Sequence, residues 1–202
     1  RSRFESPGVR SAFCLPRAVR DKRPGSAGFR CQRDSVRVKV NVSMTEVFMR
    51  GRHIAVTGAT AGIGRAASIE LARRGARLTL FCRSAEKAAI LEREIRNDGG
   101  DVSIIIMDMA DLASVREAAK IFLQREEALD VLLNNAGIVN TSRKESAQGY
   151  EETLAVNHFA PFLLTGLLLP ALRSGQKSRI VNVSSGAHAF VKDMGYEDMQ
   201  AK

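Results

Sequence analysis

The sequence has 202 residues, a formal net charge of +9 and an apolar fraction of 45%. This length allows one domain of ordinary size together with a tail. Most of the positive charge lies in residues 1–50, which hold twelve Lys/Arg and four Asp/Glu, whereas residues 51–202 carry a net charge of only +1. Because the larger part of the chain is almost neutral, we expect no nucleic-acid-binding surface there and no nucleic-acid partner.

Residues 1–50 combine many arginines with scattered Pro, Gly and Ser and show no sustained apolar period. Three interpretations are open: a sequence that begins upstream of the true start at Met44 or Met49, a disordered tail, or an organellar transit peptide. We expect this basic segment to precede a folded dinucleotide-binding domain over 51–202. A cytoplasmic location is expected, and the third interpretation keeps organellar import open.

The cysteines and histidines show no spacing typical of metal ligands and no CxxC pair. They are scattered along the chain, at Cys14, Cys31, Cys82, His53, His158 and His188. We therefore predict no metal site and a reduced, intracellular setting.

From Arg52 onward, short apolar segments alternate with longer amphipathic ones. Strands are predicted at 53–57, 77–82, 102–107, 129–135 and 179–183. Helices are predicted at 62–75, 84–100, 111–126 and 146–175. Repeated strand–helix units with nearly continuous apolar strands predict an α/β fold with a doubly wound parallel sheet.

The most apolar run extends from Phe159 to Leu172 and contains Pro161, Gly166 and Pro170. Its 14 residues are fewer than the about 20 that a membrane-spanning helix needs. We therefore interpret the run as a buried helix and expect no membrane span in this chain.

The stretch "TGATAGIG" at 57–64 lies between the first predicted strand and the first predicted helix. Gly58 permits a tight turn, Gly62 lets backbone amides approach a pyrophosphate, and Gly64 lets the helix pack closely on the sheet. The helix N-terminus then faces the anion. The pattern predicts a dinucleotide site, to which the remaining loop residues Thr60, Ala61 and Ile63 are also assigned.

The end of the second strand indicates which dinucleotide is bound. An NAD enzyme usually has an acidic residue there to hold the ribose hydroxyls, but this sequence reads "LFCRS". Arg83 can pair with a 2′-phosphate, and Ser84 can add a hydroxyl to it, so we predict NADP (NADPH) as the cofactor. Asp108 ends the third strand and is placed to accept from the adenine amino group, with Met109 beside it.

Four motifs occur together in order: "TGATAGIG", "NNAG" at 134–137, Asn157 within "LAVNHF", and "RIVNVSS" at 179–185. In this combination the chain resembles the short-chain dehydrogenase/reductase family, and most of all its retinol dehydrogenase-like group. The resemblance covers residues 51 to about 190. It implies a Rossmann-like fold and an oxidoreductase that transfers a hydride to or from a nicotinamide cofactor.

The resemblance also implies roles for matching residues. Asn135, Ala136 and Gly137 would lie against the adenosine ribose and support the sheet. Asn157 would hold the water of a proton relay and kink its helix locally. Ser185 would hydrogen-bond the substrate oxygen, and Ser184 would approach the nicotinamide.

The family's proton donor, a tyrosine four residues before a lysine, has no counterpart in the sequence. Tyr150 is followed four residues later by Leu154, and Tyr196 by Gln200. A tyrosine with an ordinary pKa of about 10 is a slow acid until a neighbouring cation lowers that pKa. We therefore interpret the chain as an amino-terminal fragment, with its sheet truncated after the fifth strand and inactive by itself. A non-catalytic NADP(H)-binding protein is the alternative.

The resemblance implies a small hydrophobic substrate, namely an alcohol, aldehyde or ketone of the retinoid, steroid or lipid type. It also implies a possible homodimer that forms through the helix at 147–172 in the full-length protein.

Overall fold

The computed structural model describes residues 49–186 and 196–200. Five strands lie in these ranges: β1 His53–Thr57, β2 Arg77–Cys82, β3 Asp101–Ile106, β4 Val131–Asn134 and β5 Arg179–Asn182. They form one parallel sheet in the order β3–β2–β1–β4–β5. The strand order reverses at β1, as in doubly wound sheets, so the predicted Rossmann-like α/β fold is confirmed.

Some sequence predictions fall outside the described residues. They concern the tail over 1–50, of which only Met49 and Arg50 are described, and the residues Cys14, Cys31 and His188. These interpretations stay predictions.

The helices between the strands cover both faces of the sheet. Their bounds are α1 Gly62–Arg73, α2 Ala85–Asn97, α3 Leu112–Arg125, α4 Glu152–Leu154 and α5 Ala160–Ser174. A π-helical segment, Ala155–Phe159, joins α4 to α5, and a 3-10 turn covers Tyr196–Asp198. Side chains cap the starts of α2, α3 and α4, through Ser84, Asp111 and Glu151 respectively.

The helix predicted over 146–175 begins later than the periodicity indicated. Residues 146–151 are not helical, and Gly149 among them has a positive φ of 77°, which a helix does not accommodate. The carboxylate of Glu151 accepts from two backbone N–H groups at 2.9 and 2.6 Å. This cap starts the helical region at Glu152, so the helix predicted at 147–172 begins five residues later than expected, and the dimer through it stays a prediction.

Two hydrophobic cores lie on the two faces of the sheet, because successive side chains of a strand point to opposite faces. On β1, Ala55 belongs to the core under α3 and α5, whereas Ile54 and Val56 belong to the core under α1 and α2. The largest members of the first core include Phe81, Phe122, Leu132, Leu164 and Leu168, and those of the second include Leu78, Leu80, Leu91 and Ile95.

A polar cluster lies at the amino-terminal edge of the sheet, opposite the edge that the glycine motif occupies. The ring of His53 is buried, with Nδ1 2.9 Å from the carbonyl of Ala128 and Nε2 2.8 Å from the hydroxyl of Thr79. Burial lowers the pKa of His53, and the positive charge of Arg77 adds to that effect. Burial raises the pKa of Asp130, but donated backbone hydrogen bonds outweigh it and hold that pKa below its ordinary value.

The helical run Glu152–Ser174 has 23 residues and contains an 18-residue window with a mean hydropathy of 1.5, so length and composition alone would allow it to cross a membrane. Its inner face packs into the core under α3, where Leu164 and Leu168 are fully buried. Its outer face carries Phe162, which is 76% exposed. The absence of a membrane span, inferred from a shorter run, stays a prediction.

Candidate active site

Thr57 joins the glycine turn to the end of β4. Its fully buried hydroxyl accepts hydrogen bonds from the backbone N–H groups of Asn135 and Ala136, both at 3.0 Å. In return, the side-chain amide of Asn135 donates to the carbonyls of Thr57 (3.0 Å) and Gly58 (3.3 Å). A Cβ at Gly58, whose φ is +68°, would lie 2.8 Å from Cα of Ala136. The ends of β1 and β4 are therefore one rigid unit.

The first turn of α1 is built to receive an anion. Its N-cap, Ala61, provides no side-chain hydrogen bond, and no acidic residue lies in the first turn. The backbone N–H groups at this helix start therefore remain available to a ligand. Gly62 has a φ of +53°, and a Cβ placed there would meet open space. These features fit the pyrophosphate of a dinucleotide, as the sequence predicts.

The remaining loop residues differ in their surroundings. Ile63 is 72% exposed, and Thr60 is half-buried. Gly64 is buried, and a Cβ there would collide with the side-chain amide of Asn135 and the carbonyl of Gly58. This close contact lets α1 approach the sheet, as predicted for the third glycine.

The ends of β2 and β3 lie beside one another on the same edge of the sheet. Arg83 is exposed, and its side chain makes no hydrogen bond or ion pair within the part of the chain that the structure describes. Ser84 accepts from the backbone N–H of Lys87 at 3.3 Å. Cys82 is buried, and burial raises the pKa of its thiol to about 11. No carboxylate occupies the end of β2.

The two residues predicted to lie near adenine at the end of β3 both make contacts within the protein. One carboxylate oxygen of Asp108 accepts from the backbone N–H of Ala110 at 2.9 Å, which makes a local turn. Met109 is 8% exposed and belongs to the core under α3 and α5. Their contacts with adenine stay predictions.

Asn157 lies in the π-helical segment, so its helix is irregular at the residue for which the resemblance implies a kink. Its side-chain oxygen accepts from the N–H of Ile138, and its side-chain nitrogen donates to the carbonyl of Ile138, both at 2.8 Å. A Cβ on Gly137 would lie 3.5 Å from that oxygen. Asn157 therefore fixes the chain directly after the "NNAG" motif. Its contact with a relay water stays a prediction.

Ser184 and Ser185 follow β5 and are exposed at the carboxyl edge. β5 pairs with β4, and the N–H of Val183 donates to the carbonyl of Asn134 at 2.9 Å. The side-chain nitrogen of Asn134 donates to Asn182 (2.9 Å) and to Thr165 (3.1 Å). This network positions the two serines beside the "NNAG" segment.

The structure thus places the predicted residues along one edge of the sheet. The glycine loop, Asn135–Gly137 and the two serines follow β1, β4 and β5, and Arg83 and Asp108 lie further along, after β2 and β3. Asn157 contacts Ile138 from the π-helical segment. Sequence reasoning missed the positioning roles of Thr57 and Asn134. Both are polar residues within predicted apolar strands, and that pattern was the signal available in the sequence.

A family comparison agrees with this geometry. Residues 52–196 match the family described as short chain dehydrogenase. The chain belongs to this family.

Relatives refine the comparison. The chain is 48% identical over 142 residues to "Dehydrogenase/reductase SDR family member 13" of Bos taurus, covering 69% of this chain and 37% of that protein. It is 44% identical over 149 residues to "Retinol dehydrogenase 11" of Homo sapiens, covering 73% and 47% respectively. A solved metagenomic short-chain oxidoreductase in complex with NADP is 33% identical, with a TM-score of 0.61 and coverage of 68% and 63%. The chain therefore spans less than half the length of these two curated relatives.

Proposed function

We propose that the protein is an NADP(H)-dependent oxidoreductase that transfers a hydride between the nicotinamide and a hydrophobic alcohol, aldehyde or ketone. The observation that carries this proposal is the shared edge of the sheet, where the uncapped start of α1 lies beside Asn135 and near Ser185. Family membership supports the reaction type.

Reduction of a carbonyl requires a hydride and a proton: bound NADPH would supply the hydride, and the proton would come from the family's tyrosine four residues before a lysine, which these 202 residues do not contain. In the proposal, the amides at the start of α1 hold the pyrophosphate, and Thr57 keeps them in register with Asn135. The hydroxyl of Ser185 donates to the substrate oxygen and so orients the carbonyl. Ser184 faces the nicotinamide. Asn157 holds the chain at Ile138, which keeps this side of the crevice fixed.

The choice of NADP rests on Arg83. A guanidinium pairs well with a phosphate through charge-assisted hydrogen bonds, and Arg83 is exposed without a protein partner among the described residues. The relative solved in complex with NADP agrees with this choice.

The substrate class rests on relatives. The similarity to a retinol dehydrogenase supports a bulky apolar substrate of the retinoid, steroid or lipid type. We further propose that the full-length protein forms a homodimer through the exposed face of the 152–174 helical region, which presents Phe162.

A non-catalytic NADP(H)-binding protein is the second candidate. Such a protein would bind NADPH with the same edge of the sheet and leave it unchanged.

Two measurements test the proposal. The 202-residue chain should bind NADPH more tightly than NADH. The Arg83→Ala variant should show a smaller difference between these two affinities. Equal affinities for NADPH and NADH in the unmutated chain would rule out the assignment of NADP as the cofactor. A version of the protein that contains the tyrosine–lysine pair should oxidise NADPH when given a retinoid aldehyde. NADPH binding without turnover of any carbonyl would favour the second candidate, and turnover of only small polar ketones would contradict the substrate class.

A further inference from the structure

A short segment beyond the two serines, 196–200, is fastened to the connection between β4 and α4 through Gln200. The side-chain oxygen of Gln200 accepts from the backbone N–H of Glu151 at 2.8 Å. The backbone carbonyl of Gln200 accepts from Nε of Arg143 at 3.1 Å. These partners lie 49 and 57 residues before Gln200, so the two contacts join parts of the chain that are distant in sequence.

The connection that receives Gln200 is itself anchored. Glu145 and Glu151 pair in an antiparallel bridge, which closes the loop between them. The backbone N–H of Ala147 donates to the carbonyl of Ala110 at 3.0 Å, which ties this loop to the chain just before α3. Gln200 therefore binds to a surface that other contacts already hold in place.

The same connection begins at the candidate active site. Ile138, the first residue after the "NNAG" motif, is held by two hydrogen bonds from the side chain of Asn157. Because β4 and β5 are parallel neighbours, the segments that follow them leave the sheet at the same edge. Ligands of open α/β sheets bind in the crevice at this edge. The contacts of Gln200 thus join the two segments that flank the substrate side of the crevice.

Exposed apolar side chains lie on both of these segments. Val139 is 89% exposed, although the backbone of the preceding residue is fixed, and Tyr196 and Met199 are 69% and 42% exposed. Apolar side chains that are held in place but exposed beside a crevice are typical of a ligand-binding surface. An apolar ligand would remove them from water, which is favourable, whereas a small polar ligand would not.

We propose that Gln200 is a positioning residue for substrate binding. By holding segment 196–200 against the β4–α4 connection, it keeps Tyr196 and Met199 in place as a surface for the apolar part of the substrate. It thereby sets the preference for bulky over small carbonyl compounds. This inference rests on the proposed function, because it assigns a residue to the substrate side of the same site. Gln200 acts through the side chains that it positions and not on the reacting atoms.

The test compares a bulky aldehyde with a small one. A version of the protein that contains the tyrosine–lysine pair is assayed with NADPH and either retinal or propanal. Gln200→Met keeps the length of the side chain but removes the acceptor for the N–H of Glu151. It should raise the KM for retinal about 3- to 10-fold, as expected for the loss of one hydrogen bond. The kcat/KM for propanal and the affinity for NADPH should stay unchanged.

Two further variants separate positioning from other effects. Gln200→Glu offers a carboxylate oxygen to the same N–H, so its KM for retinal should stay close to that of the unmutated protein. Gln124→Met is the matched control, because Gln124 is exposed near the end of α3, which leads to the amino-terminal edge of the sheet. It should leave both KM values and the affinity for NADPH unchanged.

Hydrogen exchange of the Glu151 amide reports the contact directly and should be faster in Gln200→Met than in Gln200→Glu. Faster exchange in Gln200→Met with an unaltered KM for retinal would overturn the inference and leave the proposed function standing. An equal rise of the KM for retinal and for propanal would overturn it too, because the effect would then not depend on substrate size. An unmutated protein that turns over no carbonyl compound would overturn both.

Discussion

At the scale of single residues, Thr57 shows how one hydroxyl supports two parts of the candidate site. Thr57→Val preserves the shape of the side chain but leaves the backbone N–H groups of Asn135 and Ala136 without their acceptor. Each buried unsatisfied donor costs about 1–3 kcal/mol, so the loss of the acceptor for two donors should lower the free energy of unfolding by roughly 2–6 kcal/mol. NADPH affinity should fall as well. Urea denaturation and NADPH titration measure the two effects.

Thr141→Val is the control for this substitution, because Thr141 is exposed and lies outside the site. It should change neither quantity. Thr57→Ser, which keeps the hydroxyl, should behave much more like the unmutated chain. A Thr57→Val variant with unaltered stability would show that the two N–H groups find other partners.

His53 should make the stability of the protein depend on pH. Burial holds the pKa of His53 in the folded chain below its ordinary value of 6.5. The unfolded state therefore takes up a proton at higher pH than the folded state does. Stability should be complete above about pH 6.5 and should fall as the pH drops from there toward the folded pKa.

Urea denaturation between pH 5 and 8 measures this dependence. His53→Gln should lower stability at every pH but flatten its decline below pH 6.5, since position 53 then carries no buried imidazole. His158→Gln removes an exposed imidazole and should keep the decline. Parallel pH profiles for the unmutated chain and His53→Gln would contradict the assignment.

At the scale of elements, the π-helical segment is a device for fixing a loop. Its residue Asn157 makes two hydrogen bonds to the backbone of Ile138, at the end of the "NNAG" region. Asn157→Ala should loosen that loop and accelerate hydrogen exchange of the Ile138 amide roughly 5- to 30-fold, which corresponds to about 1–2 kcal/mol. His158→Ala, one residue further on and exposed, should leave this exchange rate unchanged. If the Ile138 amide exchanged at the same rate in Asn157→Ala as in His158→Ala, the loop would be held by its other contacts.

Elements whose bounds depend on neighbouring residues could be predicted from the sequence, whereas features that depend on distant residues could not. β1 and β2 have the predicted bounds because a glycine turn or a helix end limits each apolar run. The periodicity of "LAVNHF" does not predict the π-helical segment. The side chain of Asn157 in this segment bonds to the backbone of Ile138, which lies 19 residues away. The role of Thr57 depends on residues 78 and 79 positions away. Motif residues were therefore predictable as a set, whereas the contacts that hold them together were not.

At the scale of the whole molecule, the outer surface of α5 and the edge strand β5 expose apolar side chains. Phe162 is 76% exposed, and Ile180 and Val181 are each 43% exposed. We expect the 202-residue chain to self-associate at micromolar concentration, because exposed apolar surface and a strand edge that no other described strand pairs with both favour association.

Phe162→Ser should reduce this self-association without lowering stability, as measured by analytical ultracentrifugation and thermal melting. Leu168→Ala is the contrasting variant, since Leu168 is fully buried. It should lower the free energy of unfolding by about 2–5 kcal/mol and should not reduce association. A monomeric unmutated chain would contradict the expectation.

Because Cys82 is buried, the rate at which its thiol reacts with an alkylating reagent reports local opening of the structure. Thiol reagents attack the thiolate, and a buried thiol with a pKa of about 11 is almost never ionised or accessible in the closed fold. The rate of alkylation, followed in the peptide that contains Cys82, therefore measures how often the end of β2 opens. Since Cys82 directly precedes Arg83, its labelling rate records how firmly that end of the sheet is closed, without any change to the sequence.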